Sequence, residues 1–249
     1  MIDPSATTST VDWSRYAAVL FDLDGVLTPT AEVHMRAWKA MFDEFLGDWD
    51  AAGDTAPYSD VDYYAHVDGK PRYDGVRDFL ASRGIELPEG KAGRPFDRTV
   101  KGLGDRKNDA FNEVLQRDGV APYAGSVALL DHLADLGVPM AVVSSSANAP
   151  AVLEAAGLAG RFVTVVDGRV AATRGLAGKP APYTFLHAAE VCGADAAGSV
   201  VVEDAVSGVR AGAAGGFGLV VGVDRGAGHD ALTDAGATVV VADLAELVP

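Results

Sequence analysis

Six short apolar runs constrain the fold of this chain more than any other feature of its sequence. Each run is four or five residues long and rich in Val, Ala or Leu, and together they occupy 17–21, 139–143, 162–166, 199–202, 219–223 and 238–241. Continuous apolar runs of this length are typical of strands that are buried on both faces of a parallel sheet. From residue 121 onward the runs alternate with helical patterns, which indicates βαβ units with helices on both faces of the sheet.

The first apolar run has no partner strand in the residues that directly follow it. Between residues 30 and 120 the pattern is helical, around 30–45, 61–67, 75–83 and 106–118, with breaks at 69–71, 87–90 and 102–104. We therefore predict a helical domain inserted after the first strand. The predicted division is a flexible tail over 1–14, an α/β core formed by 15–29 and 121–249, and an all-helical insert over 30–120.

Charge and cysteine content limit the partners of the chain. Among its 249 residues, acidic residues outnumber Lys and Arg by 35 to 20, and the net charge of −15 argues against binding to nucleic acid or an anionic membrane. Cys192 is the single cysteine, so no internal disulfide can form and a reducing compartment is expected. No apolar run is long enough to cross a bilayer, and residues 1–10 lack the apolar core of a signal peptide. We expect a cytoplasmic monomer that binds neither nucleic acid nor membrane.

The first apolar run ends in Asp22-Leu23-Asp24-Gly25. Ligand chemistry in parallel sheets gathers just beyond the carboxyl ends of the strands. Two carboxylates at such an edge repel each other and attract a cation, and their oxygen ligands suit Mg²⁺. Taken alone, the same residues also fit a simple turn after a strand, because Asp-Gly pairs are common turn formers.

Polar residues of complementary chemistry occur at other strand ends. Ser144 follows the second run, Lys179 precedes a helical pattern, and Glu203 and Asp204 follow the fourth run. Each has an ordinary explanation: a serine can cap a helix, a lysine can be exposed in a loop, and two acids can begin a helix. At one sheet edge, however, they would form a phosphoryl-transfer site. Carboxylates would hold Mg²⁺, the hydroxyl and ammonium would hold phosphate oxygens, and a free carboxylate would act as nucleophile.

In order along the chain, Asp22-Leu23-Asp24-Gly25-Val26, Ser144, Lys179 and Glu203-Asp204 resemble the four motifs of the haloacid dehalogenase (HAD) superfamily. The helical insert resembles the type-1 cap of that superfamily. Within it the chain is similar to the β-phosphoglucomutase group, over 28–38, 69–72, 106–109 and 179–182. The resemblance implies an α/β fold, with a Rossmann-like parallel-sheet core and an inserted all-helical cap domain.

The resemblance also implies roles for the residues at the strand ends. Asp22 would be the nucleophile and a Mg²⁺ ligand, and Asp24 would be the general acid/base that gives its backbone carbonyl to the metal. Four residues would complete the centre: Glu203 and Asp204 at the metal, and Ser144 and Lys179 at the transferring phosphoryl group.

The implied substrate-binding residues are spread over the insert and the second strand end. They are Thr30 at the hinge, His34 near the sugar or the cap closure, Arg72 and Lys107 in the cap, and Ser145, Ser146 and Asn148, the last two near the distal phosphate. One position departs from the group, which usually has a basic residue where this chain has Ala147. The departure weakens the case for a bisphosphate unless Lys70 or another cap cation compensates.

Three functions are compatible with these residues. The first is a Mg²⁺-dependent phosphosugar mutase that interconverts β-glucose 1-phosphate and glucose 6-phosphate through a sugar bisphosphate, with an aspartyl phosphate on Asp22. The second is a phosphatase, in which water attacks the same intermediate. The cap cations Arg72 and Lys107 favour the mutase, and Ala147 favours the phosphatase. The third, with the least support, is a non-catalytic sugar-phosphate-binding protein, which would be marked by the loss of a nucleophile or metal carboxylate that this chain retains.

Overall fold

A parallel β-sheet forms the centre of the structure, a computed structural model that describes residues 11–249. Its strands are β1 (Ala18–Phe21), β2 (Met140–Val143), β3 (Thr164–Val166), β4 (Ser199–Glu203), β5 (Leu219–Val223) and β6 (Val239–Val241). Their order in the sheet is β3-β2-β1-β4-β5-β6, and every neighbouring pair is parallel. All six predicted strands are confirmed. Because the order reverses between β1 and β4, the crevice beyond these two strands is the expected ligand site.

Helices fill the connections between the strands. Along the described residues they are α1 (Thr30–Gly47), α2 (Asp60–Asp62), α3 (Arg72–Ser82), α4 (Val100–Asp118), α5 (Ala124–Asp135), α6 (Ala149–Ala155), α7 (Gly168–Arg174), α8 (Tyr183–Val191), α9 (Val206–Ala214) and α10 (His229–Ala235), with a π-helical turn at Tyr63–Val67. Successive side chains of each strand point to opposite faces. Val19 and Phe21 pack in one apolar cluster with Leu129 of α5, while Leu20 packs in another with Phe185 of α8. Both faces of the sheet are therefore buried, as the apolar runs predict.

The chain from α1 to α4, between β1 and α5, forms the inserted helical domain, here called the cap. Its described residues contain α1 to α4 and the π-helical turn, without a strand. The cap has an apolar core of its own, in which Trp38, Phe42 and Phe79 are buried. Ala37 of α1 and Phe111 of α4 instead pack into the apolar cluster that contains Val19, Phe21 and Leu129. The predicted α/β fold with an all-helical cap is confirmed, while the domain bounds stay a prediction.

Helix α4 begins earlier than the sequence pattern indicates. The pattern places its start at residue 106, after a break at 102–104, whereas the helix runs from Val100 through both glycines. The Thr99 side chain caps this start by accepting a hydrogen bond of 3.0 Å from the Gly102 backbone N–H. A Cβ at position 104 would lie against the Tyr73 ring. Close packing of α4 against Tyr73 therefore explains why this helical position is a glycine.

The predicted tail over 1–14 lies mainly outside the described residues. Trp13, at its end, forms a 3-10 helix at Trp13–Arg15 and is almost completely buried. Its Nε1 donates a hydrogen bond of 2.9 Å to the Leu247 carbonyl, which ties this part of the chain to the C-terminal segment. Within residues 11–249, no helix is both long and apolar enough to cross a membrane.

Removal of a buried side chain from the central strand tests this packing. Leu20→Ala is expected to lower the free energy of unfolding by about 3 kcal/mol, because Leu20 is fully buried and its truncation leaves a cavity. Leu136→Ala makes the same chemical change at a residue that is 45% exposed, and a loss below about 1 kcal/mol is expected there. Urea unfolding measures both values, and equal losses would contradict the assigned burial.

Candidate active site

Three carboxylates meet at the carboxyl ends of β1 and β4. These strands are paired in parallel, so Asp22 after β1 lies beside Glu203 at the end of β4 and Asp204 just after it. One ligand oxygen from each of the three residues lies within 4.8 Å of the others, which makes the cluster able to hold a metal ion. Glu203 Oε2 also accepts hydrogen bonds of 3.1 Å from the backbone N–H groups of Asp204 and Ala205. The β4 turn therefore fixes the Glu203 carboxylate in place.

Lys179 supplies the positive charge within this cluster. Its Nζ lies 2.5 Å from Asp22 Oδ1 and 2.5 Å from Glu203 Oε1, and it donates a further hydrogen bond of 3.0 Å to the Val143 carbonyl. The lysine side chain is buried at this position. Burial alone would lower the pKa of Lys179, but the two carboxylates outweigh this effect and raise the pKa above its ordinary value. The ammonium consequently stays charged at neutral pH.

Gly25 allows Asp204 to come close to the β1 turn. Its φ of +88° lies in the left-handed region, and a Cβ at this position would lie against the Asp204 carboxylate. Burial raises the pKa of Asp22 and of Asp204, and neighbouring carboxylates raise both further. A divalent cation would relieve this repulsion, and the all-oxygen donor set suits a hard cation. The residues present therefore fit a metal site.

Asp24 belongs to a second group of contacts, directed toward the cap. Thr30 Oγ1 donates a short hydrogen bond to Asp24 Oδ1, and His34 Nε2 lies 3.4 Å from the same oxygen. The other nitrogen of His34 is in close contact with Lys107 Nζ, and the His34 ring stacks on Phe111 with centroids 4.0 Å apart. Helices α1 and α4 of the cap thus place a hydroxyl, an imidazole and an amine near Asp24.

These neighbours set the charge of Asp24. Burial alone would raise its pKa, but His34, Thr30 and Lys107 outweigh burial and hold the pKa of Asp24 at about 2. Burial lowers the pKa of Lys107 to about 7, and burial and Lys107 lower the pKa of His34. Asp24 is therefore ionised at neutral pH, in the state that can accept a proton.

A cavity lies between the cap and the sheet edge, above both groups. Nine of the sequence-predicted site residues line it: Asp22, Asp24, His34, Arg72, Lys107, Ser145, Ser146, Glu203 and Asp204. The Ser145 hydroxyl also donates a hydrogen bond of 2.7 Å to the Gly69 carbonyl of the cap. The structure thus brings the predicted core residues and the predicted cap residues to one cavity.

Four predicted residues lie behind this cavity wall. Ser144 Oγ is 3.5 Å from Asp24 Oδ2, and Lys179 lies beneath the carboxylates. Asn148 Nδ2 donates a hydrogen bond of 2.8 Å to Asn108 Oδ1 of the cap, and Thr30 is buried against Asp24. The roles assigned to all of these residues stay predictions.

The cavity also contains residues that the sequence analysis did not select. They are Trp38, Tyr63, Val67, Asp68, Gly69, Asn108 and Ala205. Asp68 is the most consequential of them, because burial and the nearby Glu203 raise its pKa to about 7. Its position directly before the quoted 69–72 stretch was the available signal. No spacing rule distinguishes it from the other acids of the cap.

Comparison with known proteins gives the family. A model of the haloacid dehalogenase-like hydrolase family matches residues 16–216. The chain therefore belongs to the haloacid dehalogenase-like family, as its four motifs predict.

Three individual proteins show how the chain relates to others. A protein named β-phosphoglucomutase from Mycobacterium bovis is 49% identical over 242 residues, which cover 94% of this chain and 92% of that protein. Hexitol phosphatase A from Escherichia coli is 31% identical over 204 residues, which cover 81% of each chain. The crystal structure of a hydrolase from Pseudomonas syringae has a TM-score of 0.76 at 22% identity, covering 93% of this chain and 95% of that one. This last likeness supports the fold.

The buried ion pairs of Lys179 give a prediction that needs no substrate. Lys179→Met is expected to lower the free energy of unfolding by about 3 kcal/mol at pH 8, because Asp22 and Glu203 lose their common partner in the interior. The raised pKa of Asp22 lets this carboxyl take up a proton in the folded variant as the pH falls, so the loss becomes smaller at pH 5. Urea unfolding at the two pH values measures the difference.

Lys91→Met is the matched control for this change. Lys91 is exposed on the cap, so its replacement is expected to change the unfolding free energy by no more than about 0.5 kcal/mol at either pH. An Lys179→Met variant as stable as wild type, or equally destabilised at both pH values, would show that the carboxylates do not depend on Lys179.

Proposed function

We propose that this protein is a Mg²⁺-dependent phosphosugar mutase that interconverts β-glucose 1-phosphate and glucose 6-phosphate. The observation that carries the proposal is a cavity beneath the cap that is lined by a nucleophile and a proton acceptor, with a buried ammonium directly behind the nucleophile. The substrate assignment is supported by the name of the Mycobacterium bovis relative, which matches this chain at 49% identity over nearly its full length.

In the proposed reaction, Asp22 carries the phosphoryl group. A carboxylate oxygen of Asp22 forms a bond to phosphorus as the bond between phosphorus and the sugar oxygen breaks. In the return step a sugar hydroxyl attacks phosphorus, the bond to Asp22 breaks, and its electron pair returns to the carboxylate. Asp24 takes the hydroxyl proton, a role that requires its ionised state at neutral pH. Asp24 returns that proton to the leaving sugar oxygen when the next transfer to Asp22 occurs.

Two further groups support the transfer. Lys179 lies 2.5 Å from Asp22, where its ammonium can stabilise the phosphoryl oxygens as charge shifts onto them. Asp22, Asp204 and the backbone carbonyl of Asp24 would hold Mg²⁺, with Glu203 supporting the site. When bound, Mg²⁺ supplies positive charge that favours the ionised nucleophile and neutralises the phosphoryl oxygens.

The sugar and its second phosphate would face the cap side of the cavity. Arg72 and Lys70 line that side and provide cations, and Lys107 adds an amine that its pKa of about 7 leaves partly charged at neutral pH. Ala147 offers no cation on the core side. Arg72 is held in the cap by the Tyr73 hydroxyl, 3.2 Å from its Nη2, and by Asp105, 3.6 Å away. We infer that the distal phosphate is bound by cap cations, which replace the missing basic residue of the core.

A phosphatase is the second candidate. Two observations favour it: the absence of a core cation at Ala147, and the 31% identity to Hexitol phosphatase A. The same Asp22 intermediate would then be attacked by water, with Asp24 again accepting the proton. The choice between the two functions depends on which oxygen reaches the phosphoenzyme.

An assay with β-glucose 1-phosphate separates these candidates. With Mg²⁺ and a catalytic amount of β-glucose 1,6-bisphosphate as primer, wild-type protein is expected to form glucose 6-phosphate in large excess over inorganic phosphate. Coupled detection of glucose 6-phosphate and colorimetric detection of phosphate measure both products. Phosphate release without isomerisation would overturn the mutase and support the phosphatase.

The nucleophile is tested in the same assay. Asp22→Asn is expected to lower turnover by about a thousandfold or more, because the amide cannot form the acyl phosphate. Binding of substrate without turnover in wild-type protein would instead support a non-catalytic sugar-phosphate-binding protein. Asp43→Asn is the control, since Asp43 lies in the cap outside the cavity-lining residues and pairs with Lys39.

The metal site is tested by direct binding. Asp204→Asn is expected to weaken Mg²⁺ binding about tenfold or more, because one of the clustered carboxylate ligands is lost. Isothermal titration of the purified protein with MgCl₂ measures this without substrate. Mg²⁺ affinity equal to that of wild type would remove Asp204 from the site, while Asp224→Asn, in the β5 loop outside the cluster, serves as control.

A further inference from the structure

Two serine hydroxyls of the sheet domain hold the same turn of the cap. Ser145 Oγ donates a hydrogen bond of 2.7 Å to the Gly69 carbonyl, and Ser207 Oγ donates one of 3.1 Å to the Asp68 carbonyl. The two acceptors are consecutive residues in the turn between the π-helical segment and α3. The donors come from opposite sides of β1, because Ser145 follows β2 and Ser207 lies in α9 after β4. The turn is therefore held from both sides of the strand that carries Asp22.

The backbone of this turn fits closely against the sheet domain. Gly69 has a φ of +67°, and a Cβ at this position would lie against Ser207 Oγ and the Ala205 methyl group. On the other side, a Cβ on Gly178 would meet the ring of Pro71. Glycine at both places permits a close approach of the cap to the sheet edge. The two hydrogen bonds form at this close approach.

The bonding of Ser145 differs from its predicted role in substrate binding. Its hydroxyl proton is committed to the Gly69 carbonyl, and Ser207 lies outside the residues that line the cavity. Both hydroxyls bond to backbone oxygens, so their contacts do not depend on a charged side chain of the cap. Lys70 and Arg72, which line the cavity, follow the same turn directly. Fixing the turn therefore also fixes the position of two cap cations.

We propose that Ser145 and Ser207 are positioning residues that latch the cap closed and thereby direct the phosphoryl group of Asp22 to the sugar instead of water. This inference rests on the function proposed above. In both reactions the bond between phosphorus and the Asp22 carboxylate breaks, a new bond to oxygen forms, and Asp24 takes the proton of the attacking oxygen. The chemistry at Asp22 is the same for both acceptors, so exclusion of water by the closed cap decides the product.

The test replaces both hydroxyls. Ser145→Ala with Ser207→Ala removes the latch without adding bulk, and a hydrogen bond of ordinary net strength changes an equilibrium about two- to tenfold. The amount of inorganic phosphate released per glucose 6-phosphate formed is expected to rise about tenfold in the double variant. Without substrate, the radius of gyration measured by small-angle X-ray scattering is expected to exceed that of wild type, because the cap opens.

Ser82→Ala is the matched control. Ser82 Oγ donates a hydrogen bond of 2.7 Å to the Phe79 carbonyl, so the control loses the same kind of bond within the cap alone. Neither the product ratio nor the radius of gyration is expected to change in this variant. Thermal melting of all variants checks that the double variant remains folded at the assay temperature.

The outcomes separate the latch from the proposed function. An unchanged radius of gyration in the double variant overturns the latch, whatever the products are. A larger radius with an unchanged product ratio overturns the part of the proposal that concerns water. Phosphate release without isomerisation in the wild-type protein contradicts the mutase function and not the latch. In that case the difference in radius of gyration between the double variant and wild type alone tests the latch.

Discussion

The grouping of three carboxylates, two of them on buried residues, at one edge of a parallel sheet is the constraint on which the rest of the structure depends. Asp22, Glu203 and Asp204 would repel one another in a low-dielectric interior, and burial raises the pKa of Asp22 and of Asp204. Lys179 offsets part of this cost by contacting Asp22 and Glu203, and two backbone N–H groups after β4 donate hydrogen bonds to the second oxygen of Glu203. With three carboxylates and one ammonium, the cluster lacks positive charge. A divalent cation would supply that charge and would also allow a phosphoryl group to bind.

The position of the insert follows from the same constraint. The cap leaves the sheet directly after Asp22 and Asp24, so closure brings α1 and α4 onto the Asp24 carboxylate. The result is a pair of aspartates with opposite environments. Burial among other acids raises the pKa of Asp22, whereas His34 and its neighbours hold the pKa of Asp24 at about 2. Pairs of carboxyl groups whose pKa values are driven apart in this way are suited to different chemical roles.

The strands and the core of the candidate site could be predicted from the sequence because both depend on local patterns. A buried parallel strand requires a continuous apolar run, and residues at its carboxyl end share an edge with those of its neighbours. This reasoning placed Asp22, Glu203, Asp204 and Lys179 correctly relative to one another. The family resemblance then supplied the roles, which the geometry accommodates.

The contacts of the cap were harder to predict from the sequence, because they join residues that are far apart in the chain and do not follow from periodicity. Ser145 lines the cavity, and its role in substrate binding stays a prediction, but no pattern indicates that its hydroxyl also bonds to Gly69, 76 positions away in sequence. Thr30 was predicted at the hinge, and no pattern indicates that its hydroxyl bonds to Asp24. Asp68 was marked only by its position directly before the 69–72 stretch.

The central claim is that Asp22 carries the phosphoryl group between substrates. In its most direct test, wild-type protein is mixed with Mg²⁺ and β-glucose 1,6-bisphosphate, and the reaction is quenched with acid within milliseconds. Phosphorylated peptides are then mapped by mass spectrometry. The account predicts one labile phosphoryl group, located on Asp22, which is absent from Asp22→Asn. A phosphoryl group on another residue, or turnover without any phosphorylated protein, would contradict it.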